Sequence, residues 1–271
     1  DLALAAARSA VQSSSSPLNS TSTSSSDIGG VIVATFSNER LFPALAVEIA
    51  SALGLSPSAP AFDLQLACSA YPYALYLAGR MSTDTGRKVL VIDGDVQSRL
   101  VDKNDHDTGS IFSDAVTATI VEVNSSSSRA DAPLSCFDFY SKFNDESLSC
   151  GESGPIKMKG FDVFSFVATD VSRFLKEFIT SLNNSSLFTL HSSLLFVPHQ
   201  ANPYMVRQLA KSLGLTDQLL TLDPALKNPG SCSIPLTLAT NTDRIPTGGA
   251  TTLIAGFGAG YSAAVGLVKV L

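Results

Sequence analysis

Tryptophan is absent from this chain of 271 residues, and methionine and histidine occur only three times each. Four scattered cysteines with no close Cys/His cluster exclude a structural zinc site, and no metal site of any kind is expected. Charge is scarce as well: 15% of residues are charged against 45% hydrophobic, which excludes a disordered or highly charged tail. Eighteen basic residues face 24 acidic ones, and the net charge of −6 leaves no general attraction for nucleic acid. No apolar run approaches the roughly 20 residues that cross a bilayer, so no membrane span is expected. The chain opens Asp1-Leu2-Ala3-Leu4, without an initiator Met or a basic, apolar leader. Lacking such a leader, the cysteines default to reduced thiols in a cytoplasmic setting, with Cys136 and Cys150 the one pair open to oxidation. The first residues already read as helix, and the expectation is that the chain is a fragment of a longer one.

What is present is enough apolar sequence for one large domain or two modest ones. Serine-rich runs at 13–16, 20–26 and 125–128 read as solvent loops. The glycosylation-like triplets at Asn19, Asn124, Asn183 and Asn184 are ascribed to chance beside such runs. Strands are expected at 30–36, 88–93, 118–123, 193–197, 251–255 and 263–270, several apolar throughout, as in a sheet covered by helices on both faces. Helices are expected at 1–12, 42–53, 68–81, 162–182 and 203–213. The two ends of the chain repeat one another: each runs helix, strand, a helix closing in Leu-Gly-Leu, a small-residue segment and two strands. The predicted organisation is therefore a half at 1–123, a joint at 124–160 rich in Ser, Pro and Gly, and a half at 161–271.

Four sites carry chemistry-bearing residues. Cys68 starts a helical pattern, where the helix dipole favours thiolate; a buried structural cysteine is the alternative. His199 follows a strand and precedes a helix opening at Pro203, the place where α/β folds hold ligands; a capping or core histidine is the alternative. His191 and His106 have no comparable setting. Asn228 lies in Asn-Pro-Gly, which reads equally as a tight turn. The glycines of Gly256-Phe257-Gly258-Ala259-Gly260 suit an oxyanion hole or a bend between two strands. Cys, His and Asn in that order serve both papain-like proteases and decarboxylating condensing enzymes, and their spacing does not separate the two. The absence of Trp, the surroundings of Cys68 and the duplicated α/β pattern disfavour the papain-like reading.

The segments ACSAYPYALYLA, VPHQAN, NPGSCSIPLTL and GFGAGYSAAVGLVKV resemble the signature segments of β-ketoacyl-acyl-carrier-protein synthase III, a condensing enzyme of the thiolase superfamily. IFSDAVTATIVE and IKMKGFDVFSF fit that family's intervening segments. The resemblance implies an α/β fold of five αβαβα layers built from two duplicated halves, working as a homodimer without a cofactor. It implies Cys68 as the nucleophile that takes an acyl group from acyl-CoA. It implies His199 and Asn228 as the donors that stabilise the enolate when malonyl carrier protein loses CO2. A second oxyanion hole falls to the backbone N–H groups of Cys68 and Ala259, and Phe42 reaches the neighbouring subunit's acyl pocket.

Some positions depart from the pattern. Ala259 stands in place of a glycine, where a positive φ would be costly. His106 stands where an arginine often meets the CoA phosphates. Tyr204 stands in place of a basic carrier-docking residue, although Arg207 and Lys211 keep that helix positive. The family's opening strands and loops are missing, and the chain alone is expected to aggregate or fail to bind acyl-CoA. Two other readings accompany the condensing enzyme: a cysteine-dependent acyltransferase of a secondary pathway, and a non-catalytic partner subunit of a heterodimer.

Overall fold

A computed structural model describes residues 2–13, 23–123, 136–151, 154–184 and 194–271. His191 and the serine runs, apart from Ser13 and residues 23–26, lie outside the described residues. The first half contains α1 (Leu2–Ser13), β1 (Ile28–Ala34), α2 (Leu45–Ala52), β2 (Ala61–Leu64), α3 (Ala70–Thr85), β3 (Lys88–Asp95) and β4 (Ala115–Val121). Its sheet has the order β2-β1-β3-β4, with β1 parallel to β2 and β3, and β4 antiparallel to β3. After it come β5 (Phe137–Ser141), a short ribbon of β6 (Leu148–Ser149) and β7 (Lys157–Met158), and α4 (Gly160–Phe166). A π-helical turn leads into α5 (Ser172–Asn184), followed by β8 (Leu195–Pro198), α6 (Pro203–Leu213), α7 (Ser233–Thr240), β9 (Ala250–Gly258) and β10 (Ser262–Val270). The second sheet runs β5-β10-β9-β8, with β8 parallel to β9, and β10 antiparallel to β9 and β5.

The repeat read from the sequence is a repeat of topology. The order β1-β3-β4 recurs as β8-β9-β10, with the same parallel and then antiparallel pairing. Where β1 pairs with β2, Phe196 of β8 makes a single parallel bridge to Leu219. Both Leu-Gly-Leu sequences end helices: Gly54 and Gly214 each take φ of 69°, a left-handed turn that glycine adopts without a Cβ clash.

Strand periodicity explains the layers. On β1 and β3, Val31, Val33, Leu90 and Ile92 face outward against Ala3 and Ala7 of α1 and Ala46 and Ile49 of α2. Their neighbours Ile32, Ala34, Val89 and Val91 face inward, packing with Ala74 and Ala78 of α3 and, across the middle, Ile234 of α7 and Leu195 of β8. Phe196, Leu253 and Phe257 face outward on the second sheet, against Leu175 of α5 and Leu209 of α6. Helices therefore cover both faces of each sheet, and α3 and α7 lie between them: five layers, αβαβα. Each fully buried Ile, Leu or Phe in these layers contributes about 1.5–3 kcal/mol relative to exposure.

Several boundaries differ from the sequence reading. The expected helix at 162–182 begins at Gly160 and is interrupted by the π-helical turn Val167–Val171. The helix expected from residue 42 starts at Leu45, with residues 42–44 in the preceding loop and Ala44 as its N-cap. The stretch read as a joint contains β5, which pairs with β10 from Phe137 to Ser141, as well as the β6–β7 ribbon. Gly256–Gly258, read as loop, belongs to β9. All four cysteines are free. No described helix is long and apolar enough to cross a membrane.

Candidate active site

Cys68 lies at the tip of the turn between β2 and α3, inside a short 3-10 turn Ala67–Ser69. Ala67 is held at φ of 44°, a left-handed conformation that a residue with a Cβ rarely takes. β9 passes directly beneath. A methyl group added to Gly256 would come within 3.0 Å of Ser69 Cα, and one added to Gly258 within 2.8 Å of Cys68 Cβ. The alternating glycines thus let the strand run against the nucleophile's turn, a close-approach requirement rather than a bend.

His199 follows β8, its backbone N–H donating to the Ala255 carbonyl at 2.7 Å. The ring meets Phe257 edge-on, with centroids 5.5 Å apart at 76°. Its Nδ1 lies 2.8 Å from Ser233 Oγ. Asn228 is pinned from three sides: its N–H donates to Ile111, and its carbonyl accepts from the Ser113 N–H and from Gln97 Nε2. The Asn228 side-chain oxygen accepts the Gly230 N–H at 3.0 Å, which leaves the amide NH2 as the free end. Gly230 reaches back in this way with φ of 72°. The Asn-Pro-Gly turn and the polar side chain are one device.

Cys68, His199 and Asn228 line a single cavity of about 130 Å³. Ile111, Phe112, Leu148, Met158, Val163, Met205 and Phe257 supply most of the remaining wall, with no Asp, Glu, Lys or Arg among the lining residues. Burial pushes the Cys68 thiol up to about 12, and the carboxyls of Asp95 and Asp93 push the same way. The thiolate that the helix start was expected to favour is opposed by this burial, which favours the neutral thiol. Burial pulls His199 down to about 4, opposed by a Gly230 backbone hydrogen bond, so its ring is neutral at pH 7.

Ala259 follows Gly258 next to Cys68 without the feared strain: the left-handed positions are Gly260 (φ 73°) and Tyr261 (φ 46°). Phe42 stands apart from the cavity and is 83% exposed on the loop before α2. Arg207 and Lys211 lie on the exposed face of α6, as does Tyr204. His106 sits in an exposed turn.

Sequence reasoning missed three groups. Ser233 and Gln97, which hold His199 and Asn228, are fully buried polar residues that no short motif marks. Asp93 and Asp95 are also buried, and each keeps one carboxylate oxygen without a hydrogen-bond partner. Their signal was available: two acids two residues apart at the end of an apolar strand share one face.

Residues 62–136 match the family 3-oxoacyl-[acyl-carrier-protein] synthase III, and residues 188–270 match the C-terminal part of the same family. A β-ketoacyl-[acyl-carrier-protein] synthase III of Shewanella oneidensis is 34% identical over 90% of this chain and 78% of its own length. One from Neisseria gonorrhoeae is 31% identical over 88% of this chain and 73% of its length. Among solved structures, 3-oxoacyl-(acyl carrier protein) synthase III of Pseudomonas aeruginosa superposes with a TM-score of 0.83 at 25% identity, over 99% of this chain and 82% of that one. The priming β-ketosynthase of a polyketide biosynthetic pathway gives 0.80 at 26% identity, over 99% and 80%.

Proposed function

This chain belongs to the 3-oxoacyl-[acyl-carrier-protein] synthase III family of thiolase-fold condensing enzymes, and from that membership we propose how its residues divide the work. It is an acyltransferase of fatty-acid-type biosynthesis. Cys68 attacks the thioester of acyl-CoA, forming acyl-cysteine, and the thiol proton leaves with the CoA thiol. Malonyl carrier protein then enters and loses CO2. His199 and Asn228 donate hydrogen bonds to the enolate oxygen, where charge appears only as the carboxylate departs. The enolate carbon attacks the acyl-cysteine carbonyl. The backbone N–H groups of Cys68 and Ala259 hold the tetrahedral oxyanion until it collapses, releasing the β-ketoacyl product and the Cys68 thiolate, which is reprotonated.

The observation that carries this reading is the convergence of Cys68, His199 and Asn228 on one cavity without a charged side chain in its lining. Decarboxylation moves charge from a carboxylate to an enolate, and a mostly apolar wall with two donors favours the second over the first. The first half, 1–123, brings the nucleophile; the second, 161–271, brings both donors across the joint at 124–160. Arg207 and Lys211 form the carrier-docking face of α6, and Phe42 contacts a second copy in a cytoplasmic homodimer.

Intact-mass measurement after incubation with a panel of acyl-CoAs tests the reading. An acyl adduct should form and vanish in Cys68→Ala. His199→Ala and Asn228→Ala should keep the adduct and lose malonyl decarboxylation by about 100-fold. An unchanged adduct in Cys68→Ala would move the nucleophile elsewhere. Equal loss of both half-reactions in either donor variant would return the site to a papain-like base and orienter, and acylation without malonyl consumption would favour a plain acyltransferase.

A further inference from the structure

Asn228 is committed as a donor because its oxygen is taken by the Gly230 N–H, but an imidazole can present either a proton or a lone pair. The choice at His199 is made by a hydroxyl. Ser233, the first residue of α7, is fully buried, and its Oγ has two hydrogen-bond partners: the Gln200 N–H at 3.1 Å and His199 Nδ1 at 2.8 Å. A serine hydroxyl carries one proton and two lone pairs. The Gln200 amide can only give. If Nδ1–H also gave, the hydroxyl would accept twice, and its own proton would be left without a partner among the described residues. Such a stranded donor costs free energy, so the arrangement that satisfies all three groups has the hydroxyl donating to Nδ1. A neutral imidazole then keeps its one proton on Nε2, the ring nitrogen left for the cavity.

We propose that Ser233 is a positioning residue that locks His199 in the Nε2–H form, making it a standing hydrogen-bond donor for the enolate. The role rests on the reading of His199 given above, and it ties both donors to one short segment: residues 228–233 aim Asn228 through Gly230 and His199 through Ser233. The same bond anchors the strand end, because Gln200 is held by Ser233 at its N–H, while its side chain donates to the Pro198 carbonyl and accepts from the Leu222 N–H. In this tautomer the ring has no free lone pair, since Nδ1 accepts from Ser233 and Nε2 carries the proton, so acylation of the cysteine proceeds without His199 as its base.

Two readouts test Ser233. In the full chain labelled with 15N-histidine, long-range 15N–1H spectra should show His199 with a protonated Nε2 and an unprotonated Nδ1; the reverse pattern in the wild type overturns the proposal. Ser233→Ala removes only the hydroxyl. It should mix the two tautomers and lower malonyl decarboxylation by about 10-fold or more, while Cys68 acylation stays within about threefold. Unchanged decarboxylation, or equal loss of both half-reactions, overturns the proposal in favour of a packing role. Should Ser233→Ala fail to fold, the wild-type spectrum still decides the tautomer. A wild type that never decarboxylates malonyl carrier protein but shows Nε2–H removes the proposed reaction and leaves the Ser233 lock standing.

Discussion

Two groups whose neutral forms burial favours, the Cys68 thiol and the His199 ring, face one cavity, where the helix start alone would favour a thiolate. Burial decides it, and burial also makes both groups report on folding. The unfolded His199 titrates near 6.5 and the folded ring near 4, so between these values the unfolded chain binds the extra proton. Stability from this group is full above about 6.5 and is lost as pH falls toward 4. Cys68 works at the other end: above about 9 the unfolded thiol ionises while the buried one holds its proton to about 12, and stability falls as pH rises through that window. Asp93 and Asp95, both raised by burial, resist acid instead, so His199 must be isolated by difference. Urea midpoints across pH should show a shallower acid limb in His199→Gln and a shallower alkaline limb in Cys68→Ser. Parallel curves in the variants would place the titration elsewhere.

Among the elements, β9 is where local pattern and tertiary need diverge. Its glycines read as a loop because glycine is rare in strand interiors, yet Gly258 continues the pairing with Ser262 of β10. Gly258→Ala sets a methyl 2.8 Å from Cys68 Cβ, on a strand whose pairing with β10 at Ser262 resists a shift. The expected cost is about 1–3 kcal/mol, with loss of the acyl adduct. Gly214→Ala is the control, at φ of 69° with open space around the added Cβ. It should cost about 1–2 kcal/mol of backbone strain and leave acylation intact. Melting curves and intact-mass acylation of the two variants separate them; an active Gly258→Ala would mean that the strand and the nucleophile's turn are not in the required contact.

At the scale of the whole molecule, Leu41 and Phe42 stand out at 91% and 83% exposed, side by side at the head of the loop before α2. Neither is needed to close the chain's own layers, and apolar pairs this bare suit a partner surface. If a second copy covers them, sedimentation should give a dimer, and Phe42→Asp should shift it toward monomer by burying an unpaired charge. Acylation should fall with it, since Phe42 is proposed to reach the partner's acyl pocket. A monomeric wild type, or a Phe42→Asp dimer with full activity, would dismiss this contact.

Much of the architecture was legible in the residues themselves. Apolar runs such as Val31–Val33 and Leu90–Ile92 are continuous because the sheets are covered on both faces, and the matched Leu-Gly-Leu endings announced the duplication. The types of the site residues were equally plain: Cys68, His199 and Asn228 sit in short segments whose helix-start, strand-end and turn signals are local. Their protonation states and aim were not. Those depend on atoms distant in the chain: Asp93 and Asp95 from β3, Ser233 from α7, Gln97 from the turn after β3 and Gly258 from β9. Local propensity sets which elements form, since its causes lie within a few residues. Desolvation, tautomer and the clearance around a thiol are decided by whatever the fold packs against it, and only the assembled layers supply that.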